Sequence, residues 1–178
     1  MSRQMAERIA EQFSPKTMEK HAYFLRASHR SREYLFLENG LMRAFAHDVE
    51  GNEVTTHFYT PGNVVFEVFS FFNHIPSSEN IQALTDCTGW FVSFEQLNHL
   101  FHSIPEFREF GRSILVKGYA GLKMRMLSMI TQTAEERYAQ LLQSSPELLQ
   151  AAPLKYIASY LGITDTSLSR IRKEFATK

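Results

Sequence analysis

The spacing of apolar positions changes twice along this chain. Near the start, Met5, Ile9 and Phe13 recur at helical spacing, which predicts a short amphipathic helix over residues 3–13, stopped by Ser14-Pro15. From Lys20 to about Phe94 the apolar runs become short and are separated by turn residues. REYLFLENG, LMRAFAHD, VTTHFYT, NIQALTD and TGWFVSF read as strands, with VEGNE and Pro61-Gly62 as breaks. Asn39-Gly40 is a strong turn signal and predicts a hairpin. VVFEVFSFF is apolar enough for a buried strand or a short helix, and NHIPSSE reads as a loop. Many short strands at regular spacing predict a sandwich, jelly roll or roll.

Helical spacing then returns. Glu95–Phe101 predicts a helical turn, and Pro105 leads into a long helix from about Glu106 to Met129. Its stripe is Phe107, Phe110, Ile114, Leu115, Leu122, Met126 and Met129. A stripe lasting about six turns exceeds what a small roll needs, so it predicts a dimer seam, with a core helix as the alternative. Gly111, Gly118 and Gly121 each cost about 1 kcal/mol of helix propensity, which suits a place where two backbones approach closely. Thr133-x-x-Glu136 is a capping box that opens a helix over 134–144, ended by Ser145-Pro146.

Residues 154–173, LKYIASYLGITDTSLSRIRK, read as a helix-turn-helix. Ala158 supplies the small residue where the two helices touch, and Gly162 the residue free to take positive φ. Ile157, Leu161, Ile163, Leu168 and Ile171 fall where the helices share a small core. Thr164 is placed to cap the second helix, with Asp165 favourable in its first turn. That helix then turns Thr166, Ser167, Ser169, Arg170, Arg172 and Lys173 outward, a surface suited to double-stranded DNA.

Composition narrows the picture. In 178 residues there is room for one medium domain and a small one, and an apolar share of 44% argues against disorder. Fifteen Phe and seven Tyr against one Trp predict an aromatic-rich core. No apolar run is long enough to span a membrane, and the polar opening does not resemble a signal peptide, so a cytoplasmic protein is expected. Cys87 stands alone, which excludes an internal disulfide and the cysteine set of an iron–sulfur cluster. The net charge of zero is unevenly placed. Residues 1–103 carry eight Lys or Arg against twelve Asp or Glu, whereas 104–130 and 153–178 each carry five against two. Phosphate contact needs a local basic face, which the total does not test.

Taken together, YTPGNVVFEVFSFF, TAEERYAQLLQSSPELLQ and PLKYIASYLGITDTSLSRIRK, in that order, resemble the Crp/Fnr superfamily of bacterial transcription regulators. The resemblance spans nearly the whole chain. It implies an α+β architecture with three parts. Residues 1–103 would form a cyclic nucleotide-binding-like double-stranded β-helix (jelly roll), 104–130 a dimerisation helix, and 131–178 a helix-turn-helix DNA-binding domain. It further implies a homodimer seam through Phe107, Ile114, Gly118, Leu122 and Met126, and RNA polymerase as a partner. The DNA-reading set becomes Thr164, Thr166, Ser167, Ser169, Arg170, Arg172 and Lys173. An effector pocket would involve Phe66, Glu67, Ser77 and Ser78.

Two departures qualify this. Members that bind cyclic nucleotides carry a cassette resembling Gly-Glu-(Leu)…Arg-(Ser/Thr)-Ala. Here Phe66 stands where the Gly belongs, Ser77-Ser78-Glu79 has no Arg, and no Lys or Arg occurs between Ala44 and Phe107. A buried cyclic phosphate needs a cation and free N–H groups, so the expected effector is unidentified and not cyclic AMP, and Glu67 is expected to be structural. Residues 145–152 also leave little room for a wing hairpin. A cupin-like metal enzyme would need a His-x-His pair with a nearby Glu, and none of the seven histidines forms one. His99 and His102 share helical spacing without a third ligand. No nucleophile motif or phosphate loop is present, so neither a cofactor nor catalysis is expected. A protein-interaction module is the remaining alternative, against which Arg170, Arg172 and Lys173 argue.

Overall fold

The computed structural model describes residues 3–176, so Lys178, counted in the C-terminal basic balance, lies outside the described residues. The first helix, α1 (Arg3–Ala10), buries only Ile9. It ends before Ser14-Pro15, but those residues do more than stop it. They begin β1 (Ser14–Met18), which pairs antiparallel with a late strand, placing Pro15 opposite Trp90. Proline is tolerated there because β1 is the edge of its sheet and needs hydrogen bonds on one side only.

Seven strands follow: β2 (Tyr23–Leu25), β3 (Glu33–Asn39), β4 (Met42–His47), β5 (Glu53–Tyr59), β6 (Val64–Val65), β7 (Asn80–Ala83) and β8 (Cys87–Ser93). They form two antiparallel four-stranded sheets, in the orders β1-β8-β3-β6 and β2-β7-β4-β5. The Asn39-Gly40 turn is therefore not a hairpin. β3 pairs with β6 and β8, while β4 pairs with β5 and β7, so the turn carries the chain from one sheet to the other. Gly40 is required twice over at this corner. Its φ is +99°, and a Cβ there would stand 2.5 Å from the Asp86 carbonyl oxygen. The true hairpin comes one turn later, between β4 and β5, where the Asp48 carboxylate accepts from the N–H groups of Glu50 and Asn52.

Strand alternation sorts the side chains into two cores. Leu35, Leu37, Met42, Ala44, Ile81 and Ala83 fill the space between the sheets. Tyr34 and Val92 point to the outer face of the first sheet, where they pack with Phe71, Leu97, Leu100 and Phe107. The segment VVFEVFSFF divides into β6 and a short helix, α2 (Val68–Asn73). Its aromatic residues do not all enter the core: Phe71 is fully buried, whereas Phe69 is largely exposed.

After α3 (Phe94–Ser103), Pro105 begins α4 (Pro105–Thr131), the 27-residue helix predicted from the stripe. Two of the expected seam residues behave differently from the rest. Phe107 is buried within its own chain, its ring 5.3 Å from Phe101 and 5.9 Å from Phe110, so it belongs to the core rather than to a seam. Ile114 is half-buried against the same cluster. Gly111 faces the Phe101 ring, which explains it inside one chain; Gly118 and Gly121 face open space. Beyond these, Leu115, Tyr119, Leu122, Met126 and Ile130 are exposed.

The chain ends in four helices: α5 (Ala134–Ser144), α6 (Pro146–Ala151), α7 (Leu154–Leu161) and α8 (Asp165–Ala176). The capping box at Thr133 and Glu136 is formed. Ile157, Ala158, Leu161, Leu168 and Ile171 share a core with Tyr138 and Leu148, and this core is continuous with Leu41, Phe58 and Leu84 of the sheets. Burying Ile157, Leu168 and Ile171 stabilises this unit by about 1.5–3 kcal/mol each. Among the described residues, no helix is long and apolar enough to cross a membrane.

Candidate nucleic-acid interface

The geometry of α8 follows from the three residues before it. Gly162 ends α7 in the left-handed region, at φ 68°, and the Ile163 N–H returns to the Ala158 carbonyl at 3.0 Å. A side chain at 162 would also meet the terminal methyl of Met129 on α4, which would have to swing aside, so it is the positive φ of the turn that calls for glycine. The Thr164 hydroxyl accepts from the Ser167 N–H at 3.2 Å, capping α8 as the spacing predicts. Asp165 sits in the first turn, where the helix dipole favours an acid.

Leu168 and Ile171 anchor one side of α8, and Phe175 meets the Tyr138 ring at 5.2 Å. Thr164, Thr166, Ser169, Arg170, Arg172 and Lys173 are all exposed, while Ser167 is half-buried beside Thr164. Thr166, Ser169, Arg170 and Lys173 follow i, i+3, i+4, i+7 spacing and so lie on one face; Arg172 flanks it.

Three arginines hold this unit in place. Arg137 of α5 donates to the Leu161 carbonyl at 2.9 and 3.1 Å and to the Gln132 carbonyl at 2.7 Å. It thereby satisfies free carbonyls at the ends of α7 and α4. Arg125 of α4 donates to the Tyr160 carbonyl at 3.0 Å and to Thr55 at 3.4 Å. Arg43 of β4 is fully buried, pairs with Glu53, and lies between the rings of Phe45 and Tyr156. Ser159 completes the junction by donating to the Thr55 hydroxyl at 3.0 Å, and Phe58 meets Tyr160 edge-on. Arg43 left a trace in the sequence as an arginine set among the apolar residues Met42, Ala44, Phe45 and Ala46 of β4. Arg125 and Arg137 left none, because their partners are backbone carbonyls.

Of the four residues expected around an effector, Phe66 and Glu67 lie in the link between β6 and α2, and Ser77 and Ser78 in the loop before β7. Phe66 packs against Tyr34, Phe71 and Phe72. The Glu67 carboxylate accepts from the N–H groups of Phe69 at 3.0 Å and Ser70 at 2.8 Å, so the start of α2 already holds an anion. Ser77 is buried and its hydroxyl donates to the Glu79 carbonyl; Ser78 is exposed. Near them, burial and the charge of Glu67 raise the Glu79 carboxyl above the usual range, opposed by Thr56 and Arg125. The Tyr59 hydroxyl is pushed well up by its burial and then by Glu79 and Glu67. Crowding by the protein, followed by the Arg125 charge, pushes the His57 imidazole down, although the residue keeps an exposed edge. Among the described residues no three His, Cys, Asp or Glu side chains converge to hold a metal ion.

Residues 15–103 match the cyclic nucleotide-binding domain family. No curated protein sequence matches the chain significantly. Among solved structures, FixK2 from Bradyrhizobium japonicum is similar with a TM-score of 0.79 at 17% identity, over 93% of this chain and 85% of that one. The c-di-GMP-responsive global regulator CLP from Xanthomonas campestris is similar with a TM-score of 0.76 at 15% identity, over 99% of this chain and 92% of that one. A CooA mutant from Carboxydothermus hydrogenoformans gives 0.74 at 19% identity, over 95% and 78%. At these identities the likeness is one of fold.

Proposed function

The chain belongs to the cyclic nucleotide-binding domain family, and from that premise we propose that it is a DNA-binding transcription regulator of the Crp/Fnr type. The observation that carries this reading is the exposed face of α8. Thr166, Ser169, Arg170 and Lys173 stand together on a helix whose opposite side is fully packed. Such a helix can enter the major groove, with hydroxyl and guanidinium groups reaching base edges and the flanking cations meeting phosphate. In this reading α7 and α8 are the helix-turn-helix, and the neutral total charge of the chain is no obstacle, because the basic groups are concentrated where DNA would lie.

A homodimer is part of the proposal. The exposed run Tyr119, Leu122, Met126 and Ile130 on α4 is the kind of surface a protein of this size covers with a second copy. Gly118 and Gly121, open in the single chain, allow the two helices to approach. A dimer would place two α8 helices in successive major grooves, about 34 Å apart, so the operator would be an inverted repeat. RNA polymerase is the proposed downstream partner. The effector, where one acts, is a molecule other than a cyclic nucleotide, since Glu67 already occupies the start of α2.

Selection of bound fragments from random and genomic DNA by the purified protein tests the reading. The expected result is one enriched palindrome. The proposal fails if no sequence is enriched over random DNA at about 0.1 M salt, with and without cell extract as a source of effector.

A further inference from the structure

The outer face of the sheet β1-β8-β3-β6 carries a groove of about 370 Å³, remote from the roll interior and from α8. Its walls include Ile9 of α1, Phe13, Tyr34 and Phe36 of β3, Trp90 of β8 and Phe110 of α4. Among the described residues no charged side chain lines it. Strand alternation explains the position. Leu35 and Leu37 face the interior of the roll, so Tyr34 and Phe36 face outward, and Trp90 lies on the same outer face.

Two features mark the groove as a built site. Phe36, Trp90 and Phe110 remain 37%, 40% and 42% exposed, so three large aromatic residues open onto one concavity. Tyr34, by contrast, is only 3% exposed, and its hydroxyl has no hydrogen-bond partner among the described residues. Buried hydroxyl groups are otherwise paired, and ligand pockets place such a lone polar group among apolar walls to orient what they hold. We propose that this groove binds a neutral, largely apolar small molecule bearing one acceptor oxygen, such as a medium-chain ketone or ester, with the Tyr34 hydroxyl as its donor.

Charge decides the class. With no cation in the lining, a carboxylate or phosphate would be desolvated without compensation. Burial also holds the Tyr34 hydroxyl in its protonated, donating form. The hydroxyl is shielded from bulk water. α1 forms one wall of the groove and buries Ile9 there, and contact between a ligand and the Tyr34 hydroxyl requires α1 to shift outward. This inference does not depend on DNA binding.

Trp90 is the only tryptophan, so its fluorescence reports the groove directly. The experiment titrates the full chain with 2-nonanone and, separately, with nonanoate at neutral pH. A saturable blue shift with the ketone is expected, with nonanoate binding at least about tenfold more weakly. Tyr34→Phe keeps the ring and removes only the unpaired hydroxyl, so folding is preserved, and the ketone should bind about fivefold more weakly. Ala6→Phe, which fills the groove from α1, should abolish the shift. The proposal is overturned if the ketone leaves Trp90 emission unchanged up to its solubility, if nonanoate binds as well, or if Tyr34→Phe binds equally. It is also overturned if dilution of the protein, and not the ketone, shifts the emission, because the occupant is then a second copy of the chain.

Discussion

The guanidinium of Arg43 lies 3.4 Å from the ring centroid of Tyr156, and this stack joins the roll to the first helix of the C-terminal pair. Arg43 is fully buried, and two of its nitrogens, Nε and Nη1, have no hydrogen-bond partner among the described residues. Glu53 and the two aromatic faces are what compensate its charge. A desolvated cation–π contact contributes about 2 kcal/mol. Tyr156→Ala is therefore expected to destabilise the protein by about that amount. Hydrogen exchange should become faster in α7 and α8 while β3 and β8 stay protected. Unchanged protection of α7 would show that the stack does not hold the junction.

Arg170 is placed on the outward face of α8, one turn after Thr166. Arg170→Ala should relax selectivity at one symmetric base pair, at a cost of about 1–3 kcal/mol on the preferred site. Lys173→Ala should weaken all sequences alike and reduce the salt dependence by about one ion per subunit. Binding measured on the selected operator and on base-substituted copies separates the two outcomes. Equal losses for both variants on every sequence would contradict base reading by Arg170.

Leu122 and Met126 are 64% and 49% exposed in the single chain. Changing both to Glu should leave the protomer folded and convert a dimer into monomers, because like charges would meet in the seam. Sedimentation at micromolar concentration reads this directly. A monomeric parent protein would end the dimer proposal.

Glu67 fills the start of α2 with its own carboxylate. A cyclic phosphate placed there would meet that anion with no arginine to offset it, a cost of several kcal/mol. Calorimetry with cyclic AMP or cyclic GMP at about millimolar concentration should show no saturable heat. A micromolar dissociation constant would mean that Arg125 leaves Tyr160 to meet the phosphate.

The raised carboxyl of Glu79 predicts a pH dependence. Its native form holds a proton more tightly than the unfolded chain does. That contribution is therefore greatest at low pH and is lost as pH rises from the ordinary carboxylate range through the raised value. Glu79→Gln removes this loss. The variant should melt at a higher temperature than the parent near pH 7, with the gap closing near about pH 4. A constant difference across that range would refute the assignment.

Helix positions were legible in the residues because their causes are local. The stripe from Phe107 to Met129, the box of Thr133 and Glu136, and the turn at Gly162 each act within a few residues, and α4, α5, α7 and α8 stand where those signals put them. The outward set on α8 was legible for the same reason: with Leu168 and Ile171 inside, spacing alone decides what faces out.

Strand partners were not legible, and the reason is physical. Asn39-Gly40 encodes a tight reversal, but whether the next strand returns to the same sheet depends on β6 and β8 taking the two edges of β3, residues far along the chain. Pro15 has the same history, since an edge position exists only once β8 has claimed the other side of β1. Phe107 and Gly111 looked like a seam until Phe101 folded against them. The chain itself determined α4, α5, α7 and α8, its apolar rows and the basic face of α8. Tertiary structure decided which rows meet, that Arg43, Arg125 and Arg137 tie the C-terminal helices to the rest, and that Tyr34, Phe36 and Trp90 share one groove, because those contacts join residues with no local reason to meet.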